Sequence, residues 1–208
     1  MIRKVINKIL ENFLSEYARL DRQLQSIFKE ADLHVAQFSK KANLHCLPGC
    51  GHCCENPAIE VTALEFIPLA RELWKMNQVE QWFEAIERKG SQGTCVFYKP
   101  DPLISGNGRC GIYRLRPLLC RLYGFSAGKD KYGKKRLITC TRIKAAHKEA
   151  FDKINIALQQ GADAPLIQNF SKQISQLDPN LGGRYLPINQ ALKIALEKIG
   201  FRKGFIEK

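Results

Sequence analysis

Four cysteines fall within nine residues of this chain, Cys46-x3-Cys50-x2-Cys53-Cys54, and four more follow at Cys95, Cys110, Cys120 and Cys140. Two thiols two residues apart can turn around one metal ion with their backbone amides directed at the sulfurs, and Gly49 and Gly51 permit the tight turn. Loops too glycine-rich to pack a core gain fixed geometry when their thiolates share an ion. The binding energy then becomes folding energy, on the order of 10 kcal/mol for a structural zinc site. Core-filling cysteine is the alternative for any single thiol, but buried structural cysteines have no reason to bunch among Gly, Pro and His. The expected ligands are therefore all eight, Cys46, Cys50, Cys53, Cys54, Cys95, Cys110, Cys120 and Cys140, serving two centres or one binuclear one. Adjacent residues diverge by about 100° on a helix and point oppositely on a strand. Cys53 and Cys54 are thus expected to serve different centres, or one of them to bridge two ions.

Disulfides would be the competing use of an even cysteine count, and they belong to small secreted domains in oxidising compartments. Here 208 residues, 45% of them hydrophobic, suffice for an apolar core. The sequence Met1-Ile-Arg-Lys-Val-Ile-Asn-Lys lacks the apolar stretch of a signal peptide. No run approaches the roughly 18 apolar residues that cross a bilayer. The expectation is a cytoplasmic protein with no membrane partner.

The net charge is +13, and most of it is local: Arg114 to Lys148 holds eleven Lys and Arg against one acid, Asp130. Such a block points to an anionic partner or an acidic protein face, nucleic acid being the less favoured form. Clustered thiolates around divalent ions carry net negative charge, so compensation of the metal centres is the favoured reading of this block.

Outside the cysteines the pattern is helical. Ile2, Ile6, Ile9, Phe13, Tyr17, Leu20, Leu24, Ile27, Ala31, Val35 and Phe38 recur at the helical period, which predicts one long amphipathic helix or two broken near Asp32. Thr62-Ala-Leu-Glu65 is a capping box, with Pro68 kinking the helix or setting its start at Ile67. Asn77-Gln-Val-Glu80 predicts a second cap and a helix to about Arg88, closed by Gly90. Further helices are expected over 141–160, from Pro165 to about 176, and over 188–199. Short extended pieces are expected at 94–98 and 136–140, and a loop from Asp178. The fold class is mainly α with a small irregular or β metal-stapled centre, a single domain with flanking helices. Its parts are an amphipathic segment 1–42, a cysteine core 43–140 and helices 141–208 packing on that core.

The cysteine spacing also carries a resemblance. Cys46-x3-Cys50-x2-Cys53-Cys54, then Cys95-Val-Phe-Tyr, then Cys110-Gly-Ile-Tyr-Arg-Leu-Arg-Pro-Leu-Leu-Cys120-Arg resembles the bacterial cysteine-cluster family labelled by its CxxCxxCC motif, a zinc- or iron-chelating domain. The resemblance covers roughly 45–140 and departs from the pattern at the first spacer, which has three residues instead of two. It implies chelation of zinc or iron. A flagellin lysine methylase resembles the family over this domain, but nothing beyond the cysteines supports that activity in this chain.

Four thiolates suit zinc and equally iron–sulfur clusters. The ferredoxin-like spacing with a trailing Cys-Pro is absent, which favours zinc, with iron or an iron–sulfur cluster as the alternative. Arg116 and Arg121 flank Cys120, where a guanidinium can offset thiolate charge. His52 and, less so, His45 are candidate extra ligands, whereas His34 and His147 are expected to be bystanders. No general-base constellation, phosphate-cradling loop or dinucleotide fingerprint appears. Two classes remain: an accessory or binding module holding metal, and an iron–sulfur redox or metal-dependent modifying enzyme of the methylase-associated type.

Overall fold

The computed structural model describes the backbone of residues 2–206 and the side chains of residues 15–200. In chain order the elements are α1 (Ile2–Ala42), α2 (His52–Glu55), β1 (Glu60–Thr62), α3 (Ile67–Lys75), α4 (Val79–Lys89), β2 (Tyr98–Pro100), β3 (Gly108–Cys110), α5 (Leu118–Leu122), β4 (Ser126–Lys129), β5 (Lys135–Ile138), α6 (Thr141–Ala146), α7 (Lys148–Gln159), α8 (Ile167–Leu177), α9 (Pro179–Gly182), β6 (Tyr185–Pro187) and α10 (Ile188–Ile206). Tight 3-10 turns occupy Ala63–Phe66 and Tyr113–Leu115. The protein is mainly α with small antiparallel strand pairs. No described helix is long and apolar enough to cross a membrane.

The long stripe forms one continuous helix, α1. Tyr17, Leu20, Leu24, Ile27, Ala31 and Phe38 are buried on it, while Ile2, Ile6, Ile9 and Phe13 lie outside the described side chains. Asp32 does not break it. Its carboxylate instead receives the buried Arg121 guanidinium at 2.5 Å, with Arg116 at 3.8 Å. An ion pair with a buried cation outweighs the weak helix propensity of one aspartate.

The chain divides into two compact units, the first made of residues 1–26, 57–96 and 174–208, the second of 27–56 and 97–173. In the first, α10 packs on α3 and on the 3-10 turn before it. The buried faces are built from Leu64, Phe66, Ile67, Leu192 and Leu196. The Thr62–Glu65 capping box is formed, both the Thr62 amide and its hydroxyl donating to the Glu65 carboxylate at 2.8 and 2.9 Å. Pro68 sits in the first turn of α3, which begins at Ile67 as its fixed φ allows. Asn77 does not cap α4. It takes φ 53° in the turn after α3, and Gln78 is the residue before α4. Strands β1 and β6 pair with Val61 opposite Leu186, and Ile188 donates to the Ile59 carbonyl at 2.9 Å. Asp178 caps a short helix, α9, where a loop was expected, its carboxylate accepting from Asn180 and Leu181.

The second unit is built on two hairpins. β2 pairs with β3, Tyr98 facing Cys110, and β4 pairs with β5, Ser126 facing Ile138. Asp130 closes the second hairpin by accepting from the amides of Tyr132 and Lys134, with Gly133 at φ 78°. Its core joins Phe38, Leu44, Ala127, Leu137, Cys140, Ile143 and Leu158. The expected helix over 141–160 is two helices meeting at His147, because Ile143 packs α6 into this core while Asn155 ties α7 to β5 through the Leu137 amide at 3.1 Å. Pro165 does not start a helix. Its carbonyl accepts from Ala127 at 2.8 Å, which holds it extended beside β4, and α8 begins at Ile167.

Candidate metal centre

The segment from Leu44 to Glu55 is anchored at both ends. Leu44 is buried, and Gly49, at φ 69°, offers its carbonyl to the Gly108 amide at 2.9 Å. Cys50 bridges antiparallel to Asn107. Gly51 lies so close to β3 that an added Cβ would stand 2.7 Å from the Gly108 carbonyl carbon, and one on Gly108 would stand 2.8 Å from the Lys99 oxygen. Both positions therefore exclude side chains, and this lets the cysteine loop lie flat on the β2–β3 hairpin. One helical turn, α2, then presents Cys53 and Cys54 to Cys110.

Cys54 hydrogen-bonds with Cys53 on one side and with Cys110 on the other. That arrangement sets the proton affinities of the three sulfurs apart. The Cys54 thiol, followed by Arg116 and backbone amides, brings Cys53 down to about 6. The same thiol, followed by the Ile112 amide and Arg116, brings Cys110 to about 7. Cys54 is driven far upward by those two partners and by burial. Cys53 and Cys110 are thus the acidic thiols of the set, and Cys54 is the one that holds its proton most tightly. Cys46, exposed as a residue, hydrogen-bonds with Cys50 and is pushed up to about 11, first by the partial desolvation of its thiol and then by the charges of Cys50, Cys53 and Cys140. Cys140 is buried and caps α6, accepting from the Ile143 amide at 3.3 Å.

The structure therefore joins Cys53, Cys54 and Cys110 in one hydrogen-bonded set and Cys46 with Cys50 in another, with the charges of Cys53 and Cys140 felt at Cys46. Cys120 lies half-buried on α5 beside Arg121 in the same unit, and Cys95 is buried in the first unit. There Lys89 donates to the Cys95 carbonyl at 3.1 Å, while the buried Asn189 side chain accepts from Val96 and donates to Gly90 and Thr94. None of the eight cysteines forms a disulfide. Among the described residues no three Cys, His, Asp or Glu side chains are already converged as a closed ion site. The donor set still suits a thiophilic ion: adjacent sulfurs, two of them readily ionised, with cations beside them.

Three side chains from the basic block turn inward. Arg116 influences Cys53 and Cys110, across the sequence from it, and stacks 3.9 Å over the Tyr113 ring. Arg121, buried, holds the carbonyls of Arg114 and Arg116 and lies over Phe28. Arg142 donates to the Cys50 sulfur at 3.5 Å and to the Gly106 carbonyl at 2.8 Å. Lys135 is half-buried near Asp163, and the other seven basic residues of the block are exposed.

Sequence reasoning missed Arg142, Glu55 and Tyr98. Tyr98 donates to Glu55 at 2.8 Å and His52 lies 3.1 Å from the other Glu55 oxygen, so the carboxylate is held below its usual range by both. Burial, then Glu55, pushes Tyr98 up to about 12. Arg142 and Tyr98 act over 92 and 43 residues of chain, separations that no local pattern reports.

Residues 45–149, which contain this constellation, match the family model CxxCxxCC, described as "Putative zinc- or iron-chelating domain". The chain belongs to the CxxCxxCC family. No curated protein and no solved structure matches it. Membership supports metal binding, zinc or iron, and the family segment in this CxxCxxCC protein takes in all eight thiols, since it runs from before Cys46 to beyond Cys140.

Proposed function

We propose that this CxxCxxCC protein is a cytoplasmic accessory or binding module that holds zinc through clustered thiolates, with iron as the alternative ion. The observation that carries this reading is the hydrogen-bonded set Cys53–Cys54–Cys110 with Arg116 beside it. A bound divalent ion would displace the proton held on Cys54 and gather the three sulfurs, Cys54 bridging to the second ion as the divergence of adjacent residues requires, while Arg116 and Arg142 offset the remaining negative charge. Cys46, Cys50 and Cys140 supply thiols for a second ion, and Cys95 and Cys120 belong to the proposed ligand set on sequence grounds. The seven exposed basic residues of 114–148 leave a surface for an anionic or protein partner.

The test is metal analysis of protein purified under reducing, anaerobic conditions. Colourless protein with stoichiometric zinc supports the reading. A brown protein with strong visible absorbance and iron would move it to the iron–sulfur form, and a folded protein with neither metal would overturn it.

A further inference from the structure

Two imidazoles stand together outside the thiol set. The rings of His45 and His147 meet edge to face with centroids 4.2 Å apart. Each is delivered by a fixed piece of backbone. His45 follows Leu44, whose burial and whose amide, donating to the Ser39 carbonyl at 3.0 Å, close the C-terminal end of α1. His147 sits at the junction of α6 and α7, its amide donating to Ile143 at 2.9 Å and its carbonyl accepting from Phe151 at 2.8 Å. Its Nε2 is shut off from solvent and has no hydrogen-bond partner among the described residues. A buried ring nitrogen without a partner is costly in a structure that satisfies its polar groups. An ion shared with the neighbouring imidazole would satisfy it.

We propose that His45 and His147 form a bis-imidazole site that takes up a divalent ion, zinc, and serves as the loading port of the cysteine cluster. Two imidazoles bound to one ion at ~2.0–2.1 Å per nitrogen have ring centres about 5 Å apart, so a small rotation of the exposed His45 opens the pair to the ion. The negative end of the α1 dipole, reached just before His45, favours a cation there. Water fills the remaining positions, which keeps the site weaker than the thiolates. Residues 45–49 are all exposed, so the His45 side of the pair is open to solvent, and the next residue along the chain from His45 is Cys46. Transfer onward changes no oxidation state: the ion leaves two imidazole nitrogens, and each thiol that binds it releases its proton to water. The role as a port rests on the cysteines being the metal centre; the imidazole site itself does not.

The test uses the full chain labelled with nitrogen-15. Zinc is first added until the thiols are filled, and absence of any uptake at this stage would sink the metal-centre reading separately. Further zinc is expected to shift the ring nitrogens of His45 and His147 together in one saturating step. H45Q should abolish the response of His147, and H147Q that of His45. Both variants should load limiting zinc into the thiols severalfold more slowly, to an unchanged final stoichiometry. Rings that ignore zinc, or a His147 response that survives H45Q, would show a packing contact only, and unchanged loading rates would remove the port. H45Q alters an exposed loop residue, so it decides the matter even where H147Q fails to fold.

Discussion

Cys53 and Cys54 are neighbours in the chain with opposite proton affinities, and the difference has a chemical readout. Cys53 lies near 6 and Cys110 near 7, against an ordinary 9.0, while Cys46 lies near 11 and Cys54 is raised. The thiolate is the nucleophile, so in metal-free folded protein at pH 7 a small alkylating agent should label Cys53 and Cys110 first and Cys46 and Cys54 last. Lowering the pH to 5 protonates Cys53 and should slow its labelling roughly tenfold, one pH unit below its pKa leaving about a tenth as thiolate. Peptide mass mapping after timed quenching checks both. R116Q removes the cation common to Cys53 and Cys110 and should slow both together; equal rates at all sites would contradict the assignment. None of this inequality is visible in the spacing. The bunching of four cysteines points to the proposed metal site, but Cys110, 56 residues from Cys54, joins the trio only because a hairpin folds back.

At the scale of elements, what a sequence announces depends on how local its cause is. The α1 stripe, the Thr62 capping box and the start at Ile67 follow from neighbours within one or two turns, and they appear where the pattern puts them. The break at His147, the extended Pro165 and the three-residue pair β1–β6 depend on partners far along the chain. Gly51 and Gly108 make the same point for the site. Each is ordinary in sequence, and each is required because backbone crosses backbone there. G108A drives a Cβ into the Lys99 carbonyl at 2.8 Å. It should destabilise the protein by about 1–3 kcal/mol, the usual cost of overpacking, and should weaken zinc binding as Cys110 shifts from α2. Denaturant melts with parallel metal analysis measure both. D32A tests the brace of α5: Arg121 is left buried without its carboxylate, which should cost about 2 kcal/mol, moderated because Asp32 is half open to water.

Across the whole molecule, the two units differ in what fixes their structure. The first is stabilised by apolar faces of α3 and α10, by the Trp74 indole donating to Leu196 at 2.9 Å, and by the Asn189 network around Cys95. The second relies on two short hairpins, one-turn helices and a core that includes Cys140, and it carries seven of the eight thiols. Structural metal sites convert binding energy into folding energy, about 10 kcal/mol or more for zinc at neutral pH, a figure comparable with the entire stability of an ordinary domain. Removing the ion should therefore act unevenly. On adding a strong chelator, amide hydrogen exchange should accelerate by orders of magnitude in α2, β2, β3 and α5, whose short ladders leave little residual protection. Amides of α3 and of α10 through Leu196 should keep most of theirs, because their burial is apolar and, of the eight thiols, their unit holds Cys95 alone. Restoring zinc should return protection chiefly to the second unit. Mass-resolved exchange with and without chelator measures this directly. Uniform loss in both units would mean that the metal holds the entire fold, and no change in either would mean that the thiols hold no structural ion.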